Sequence, residues 1–247
     1  MKGLTLISAS YNTPEITECM LKTFTNLYLN TKILICENSS DDKTENILKH
    51  NNIPYIRNKN GLHSPSVDLL LESITTDYAL LVDTDVLFLK DITNIFDKFV
   101  ESNITLMGEI VGDRGGKKLH KRVNPWHCFI NIKQIKENNI KFHDEKRLKS
   151  RNEIRYDVGA SFFEDIRNLK LKIADFNGEN IYYRHFEGMS WRINKFKKNG
   201  IDGDIDNNIE DTHNNVGLYQ HGIYTYNTYI QEIEKYKKIK INYNPNN

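Results

Sequence analysis

Tyr78-Ala79-Leu80-Leu81-Val82-Asp83-Thr84-Asp85-Val86-Leu87-Phe88 is an apolar run broken by two carboxylates with one residue between them. Tyr78 to Val82 has the length and apolar content of a buried strand. Two aspartates close it, and taking such groups out of water is costly unless something compensates. A divalent cation shared with a diphosphate supplies that compensation, and hard oxygen ligands suit Mn²⁺ or Mg²⁺. Asp-x-Asp is common by itself, and two solvated or cap-forming aspartates give the same string. What adds weight is its place at the end of a strand.

The sequence before this stretch alternates strand and helix signals. Leu4 to Ser10 reads as a strand and Tyr11-Asn12-Thr13-Pro14 as the turn after it. Thr13 suits a helix cap and Pro14 the first helical position. Ile16, Met20, Leu21, Phe24 and Leu27 then recur at helical spacing. Ile33 to Cys36 reads as a second strand, Asn38 to Asp42 as a turn and Glu45 to His50 as a helix. Ile53 to Arg57, the turn Asn60-Gly61 and a helix over Ser66 to Ile74 complete the alternation. Such a pattern predicts a mostly parallel α/β sheet with right-handed crossovers. Ligands of these sheets bind outside the carboxyl ends of the strands. Tyr11 and Asn12, Glu37 and Asn38, and Asp83 and Asp85 all fall there, so they are expected to converge on one edge.

The second half is less regular. Ile104 to Ile110, Trp126 to Ile132 and Ile181 to Phe186 read as strands, with a helix entered within Ile154 to Asp165 and a closing helix over Tyr229 to Lys240. Gly112 to Gly116 reads as a loop, as does the polar stretch Lys195 to Asn215. Without repeat or linker, one domain is expected over 1–247. Residues 1–100 would form a nucleotide- and metal-binding half, and 101–247 an acceptor half.

Composition excludes several classes. The chain has 247 residues, 38% hydrophobic and 27% charged, with net charge +1. That describes a folded protein with no strong field to draw in nucleic acid or an anionic membrane. The basic run Lys117-Lys118-Leu119-His120-Lys121-Arg122 reads as a solvated face. Cys19, Cys36 and Cys128 fit neither a zinc pattern nor a disulfide framework, and Cys36 reads as a small core residue. A reducing, cytoplasmic setting is expected. The N-terminal stretch lacks a signal peptide's apolar segment, and no apolar run is long enough to span a membrane. Neither a Walker A loop nor GxGxxG is present. Asp202-Gly203-Asp204-Ile205-Asp206 resembles the start of a calcium loop, but Asn207 and His213 stand where that loop needs Gly and Glu.

Three ordered blocks carry a resemblance. Leu6 to Asn12 resembles a first strand and "TYN" turn. Ile33 to Thr44 resembles "VVDNGSTDGT". Asn60-Gly61 and then Asp77 to Asp85 resemble "NxG … GDYILFLDADD". Together they are similar to the family 2 inverting glycosyltransferases, which share the GT-A fold, over roughly residues 4 to 90. The resemblance implies a metal-dependent transfer of sugar from a nucleoside diphosphate sugar (UDP- or GDP-linked) to an acceptor hydroxyl, with inversion. It implies that Tyr11 and Asn12 flank the donor base and that Glu37 binds base or ribose. Asp83, with Thr84, would contact ribose or metal, and Asp85 metal and diphosphate. Glu37 replaces the family's usual Asp, Lys43 a Gly, and Asp68 a common Asn.

Further candidates lie downstream. His185, in Tyr182 to Ser190, resembles the family's late histidine that completes the metal shell; a packed core histidine is the competing reading. Arg184 and the Gly188 to Trp191 segment are candidates to approach the diphosphate. An inverting transfer needs a general base. Asp157 is the first choice at a helix start, where a plain N-cap would look the same. Glu164 and Asp165 rank second. Trp126 and His127 suit acceptor binding or core packing equally. A sugar-nucleotide pyrophosphorylase or an inactive carbohydrate-binding relative would share the sheet plan. Tyr11-Asn12-Thr13-Pro14 is not the Gly-rich basic loop of the first, and the retained acids speak against the second.

Overall fold

A computed structural model describes residues 1–39, 41–59, 61–113, 118–149, 154–186 and 228–244. The first half alternates β1 (Leu4–Ser10), α1 (Pro14–Leu27), β2 (Lys32–Glu37), α2 (Lys43–His50), β3 (Tyr55–Arg57), α3 (His63–Ser73) and β4 (Tyr78–Val82). Then come β5 (Val86–Phe88), α4 (Thr93–Glu101), β6 (Leu106–Val111), β7 (Arg122–Asn131), α5 (Ile132–Glu137), α6 (Glu145–Leu148), α7 (Ala160–Asn168), β8 (Ile173–Asp175) and β9 (Tyr183–His185). A last helix covers 228–236.

Seven strands form one sheet in the order β3-β2-β1-β4-β7-β6-β8. β1, β2, β3 and β4 are parallel, and β6 and β8 are parallel to each other. β7 runs against both its neighbours, β4 and β6. The fold is thus mixed α/β with a mostly parallel sheet that both halves of the chain build. β5 and β9 pair separately as a short antiparallel ribbon.

The period-2 alternation of the strands divides the core. Leu4, Leu6, Leu80 and Val82 face α1, α2 and α4 through Met20, Phe24, Leu48, Phe96 and Phe99. Ile7, Ala79 and Leu81 face α3, α5 and α7 through Val67, Leu70, Ile135, Phe162 and Ile166. Full burial of side chains this size stabilises by roughly 1.5–3 kcal/mol each, which fixes β4 and the turn after it. A third cluster seats the 228–236 helix through Tyr229 and Ile233 on Ile16, Leu87 and Phe186.

Local details depart from the sequence reading. α1 begins at Pro14, but the Thr13 side chain makes no cap bond; its carbonyl accepts from the Thr17 amide (3.0 Å) and hydroxyl (2.8 Å) instead. β7 starts at Arg122, earlier than expected, because Arg122 and Asn124 are buried strand residues. Arg122 therefore does not belong to a solvated basic face. Asp68 accepts the Phe142 and His143 amides (2.7 and 2.9 Å), a double acceptance that the more common Asn could not make. The cysteines are buried and free. Ser40, Asn60, Gly115, Gly116, Gly188 to Trp191 and Lys195 to Asn215, with its Asp202–Asp206 string, lie outside the described residues.

Candidate active site

The site is built where β4 ends. Asp83 follows the last paired residue of β4, and its amide donates to the Trp126 carbonyl of β7 at 3.1 Å. Asp85 immediately precedes β5, whose Val86 pairs with His185 of β9. The Phe186 amide donates to the Asp85 carbonyl (2.9 Å), so β9 is tied to the turn that carries the acids. Asp83, Asp85 and His185 thereby come together with one ligand atom each, all within 4.8 Å of one another. His185 Nε2 lies 3.3 Å from Asp85 Oδ1, and both side chains are nearly buried.

The electrostatics of this cluster favour bound positive charge. Burial raises the Asp83 carboxyl above its ordinary range; nearby His63 and His185 oppose this and Asp85 adds to it. Burial acts to lower the His185 pKa, yet the facing carboxylates of Asp85 and Asp83 outweigh it and hold the imidazole above its ordinary value. Burial and the second carboxylate thus both push Asp83 up, and the two carboxylates push His185 up. Two carboxylates and an imidazole at this spacing are a donor set that fits Mn²⁺ or Mg²⁺.

The neighbouring turns lie along the same edge. Tyr11 is half exposed. Asn12 adopts the left-handed region (φ 53), where Asn is among the tolerated residues, and its amide donates to Ser39 Oγ at 2.7 Å. The Asn38 amide donates to the Ser10 carbonyl (2.8 Å), which locks the turns after β1 and β2 together. Glu37 is fully buried; its Oε1 accepts from the Ser39 amide (2.5 Å) and from Arg57 Nη1 (3.2 Å). Its Oε2 has no partner among the described residues. Burial raises the Glu37 pKa, against the lowering effect of the Ser39 hydrogen bonds and Arg57. Thr84 is buried between the two aspartates.

Asp157 precedes α7, whose N-cap is Gly159 (φ 81), a position that suits glycine. The carboxylate is half exposed. Oδ2 lies 3.0 Å from Arg122 Nη2, and Oδ1 accepts the Val158 amide at 2.8 Å. Arg122 opens β7 at the same sheet edge where β4 ends, since β7 runs antiparallel to β4. Glu164 and Asp165 instead hold Arg147 at 3.0 and 2.8 Å within the α6–α7 contact.

Two other candidates have protein partners of their own. Arg184 is directed toward Glu232 (3.8 Å) and lies over the Phe186 ring (5.0 Å). It therefore meets the 228–236 helix, not the acid cluster. His127 is a core residue: it is 1% exposed, stacked on Tyr183 at 3.9 Å and bordered by Phe88, Phe129 and Phe176. Those rings enclose it. Trp126 is partly exposed, with its indole stacked on His185. Sequence reading missed His63, Arg57 and Arg122. Arg122 had one available signal, the alternation Arg122-Val123-Asn124 continuing the strand. A hollow of about 840 Å³ lies at the opposite end of β4 and is lined by Tyr78, Asn131 and Lys172; it contains none of the candidate site residues.

A mostly parallel sheet that carries acids on the turn after a central strand defines the GT-A glycosyltransferase architecture. The S. aureus TarS fragment 1–349 in complex with UDP-GlcNAc has a similar structure. Its TM-score is 0.54 at 14% identity, covering 93% of this chain and 81% of that one. The galactosyltransferase LgtC in complex with donor and acceptor sugar analogues gives 0.50 at 15%, covering 78% and 94%. The chain spans 36% of the S. aureus TarS structure and 59% of the 1–349 fragment in complex with UDP. No curated protein sequence matches the chain. The profile of Glycosyl transferase family 2 matches residues 5–167. The chain belongs to that family. No helix among the described residues is long and apolar enough to cross a membrane.

Proposed function

We propose that this protein transfers a sugar from a nucleoside diphosphate sugar to an acceptor hydroxyl, with inversion, in a reaction that needs a divalent cation. The observation that carries the reading is the convergence of Asp83, Asp85 and His185, from two distant parts of the chain, at the carboxyl edge of the sheet. UDP-sugars are the first donors to try, since TarS 1–349 was solved with UDP and with UDP-GlcNAc. Residues 1–100, joined by His185 at the metal, bind the donor in this reading, and the rest of a single domain binds the acceptor.

Each residue has a role. Tyr11 flanks the donor base, and the turns fixed by Asn12, Ser39 and Asn38 shape the space beside it. Glu37 Oε2 is the acceptor left for the base or ribose. Asp83, Asp85 and His185 would hold Mn²⁺ or Mg²⁺, which would supply Lewis-acid neutralisation of the leaving diphosphate. Asp157 takes the proton from the acceptor hydroxyl as its oxygen bonds to the anomeric carbon and the bond to the diphosphate breaks. Arg122 keeps the Asp157 carboxylate in place. Trp126 retains an exposed part that an acceptor sugar can meet.

A donor screen tests this. Nucleotide release from UDP- and GDP-sugars would be followed with Mn²⁺ and with EDTA, in wild type and in Asp157→Asn. At least one donor should turn over only with metal. The variant should lose about 10²–10⁴-fold in turnover while still binding nucleotide. Undiminished turnover in the variant would remove Asp157 from the mechanism.

A further inference from the structure

Trp126 touches the acid cluster in two independent ways. Its carbonyl accepts the Asp83 amide at 3.1 Å, which adds one rung to the β4–β7 ladder beyond Val82 and His127. Its indole stacks on the His185 ring with centroids 4.5 Å apart and planes 20° from parallel. One residue of β7 thus contacts a candidate ligand that follows β4 and another on β9. The next residue repeats the pattern, with His127 stacked on Tyr183 at 3.9 Å and 14°. The ribbon of β5 and β9 is not a continuation of the large sheet. These two ring stacks therefore help set where His185 stands relative to the acids.

An imidazole on a three-residue strand turns readily about its side-chain bonds unless a neighbour restrains it. Here the indole covers one ring face and leaves the Nε2 edge toward Asp85 at 3.3 Å. Groups behind metal ligands orient them, and their loss typically costs 10–100-fold in metal affinity. One face of Trp126 is already occupied by His185, so the residue is not a free two-sided platform for a sugar.

We propose that Trp126 is a positioning residue of the metal site, aligning Asp83 through its backbone and His185 through its ring. The inference rests on the metal reading above. The backbone contact survives substitution, so side-chain variants isolate the ring. Binding of Mn²⁺, alone and with UDP or GDP, would be followed by the electron paramagnetic resonance signal of free Mn²⁺. The proteins would be wild type, Trp126→Leu, Trp126→Phe and Asp85→Asn, each checked for folding by its melting curve. Trp126→Leu should bind Mn²⁺ about 10-fold more weakly, and Trp126→Phe should recover most of the loss. Should the Leu variant not fold, Trp126→Met, a flexible side chain that fills irregular gaps without a ring, takes its place. Wild-type Mn²⁺ affinity in a folded Leu or Met variant would overturn the inference alone, with Asp85→Asn still defective. No Mn²⁺ binding in wild type, or equal binding in Asp85→Asn, would overturn the metal reading beneath it.

Discussion

Replacing His127 by Phe should change how the protein responds to acid. The imidazole is 1% exposed, and neither ring nitrogen has a hydrogen-bond partner among the described residues. Burial disfavours the charged form and lowers its pKa from 6.5 to about 3. The unfolded chain takes up this proton near the ordinary value, the folded chain only near the lowered one. Its contribution to stability is therefore complete above pH 6.5 and lost as the pH falls toward 3. Each pH unit inside that window removes at most about 1.4 kcal/mol, so two units cost about 3 kcal/mol. Phe keeps a ring against Tyr183, has no proton to gain and leaves no orphaned nitrogen. Urea unfolding of both proteins, at pH values from about 7 down to about 4.5, measures the difference directly. Carboxylates titrate in both chains and cancel. Relative to Phe, the wild type should lose about 3 kcal/mol across the range. Parallel curves would refute the claim that His127 is buried and neutral.

Three further outcomes are expected. Leu80→Ala empties a fully buried position in β4 and should cost about 2–5 kcal/mol in chemical unfolding; a loss under about 1 kcal/mol would mean that the core is not packed as described. Glu37 has a pKa raised by burial, so its contribution to stability is present below the ordinary carboxyl range and lost as pH rises through the raised value. Melting curves of Glu37→Gln should therefore gain on wild type with rising pH, and a gap that moves toward wild type would contradict the burial. Asp68→Asn turns one of two acceptors toward an amide as a donor and should cost about 1–3 kcal/mol in unfolding free energy; an unchanged melt would show that the double acceptance is not made.

How far the sequence speaks differs between the halves. β1, β2 and β4 are legible because each is a run of apolar residues that ends in polar turn residues, as Leu4 to Ser10 shows. Their shared edge follows from the connectivity of a parallel sheet. β5 and β8 are three residues each, too short for a pattern to accumulate, whereas β9, equally short, lies inside the run Ile181 to Phe186 that reads as a strand. β7 hides its start because Arg122 and Asn124 look like surface residues and are buried by partners, Asp157 and Glu109, far away in sequence. The candidate ligands Asp83, Asp85 and His185 could be picked out by residue type and by the resemblance. Trp126 could not be assigned its place, since its contacts with Asp83 and His185 depend on strand pairing. The surroundings of His127 and Arg184 were illegible for the same reason: an aromatic or a cation beside a site motif says nothing of which face it takes.

The central claim is that Asp83, Asp85 and His185 hold a cation on which a nucleoside diphosphate binds. Calorimetric titration of UDP and GDP into wild type and Asp85→Asn, with Mn²⁺ and with EDTA, tests it most directly. The account predicts binding of one nucleotide by wild type that is at least about 10-fold tighter with Mn²⁺, and no such gain in the variant. Nucleotide binding equally tight in EDTA, or a Mn²⁺ gain that survives Asp85→Asn, would contradict it.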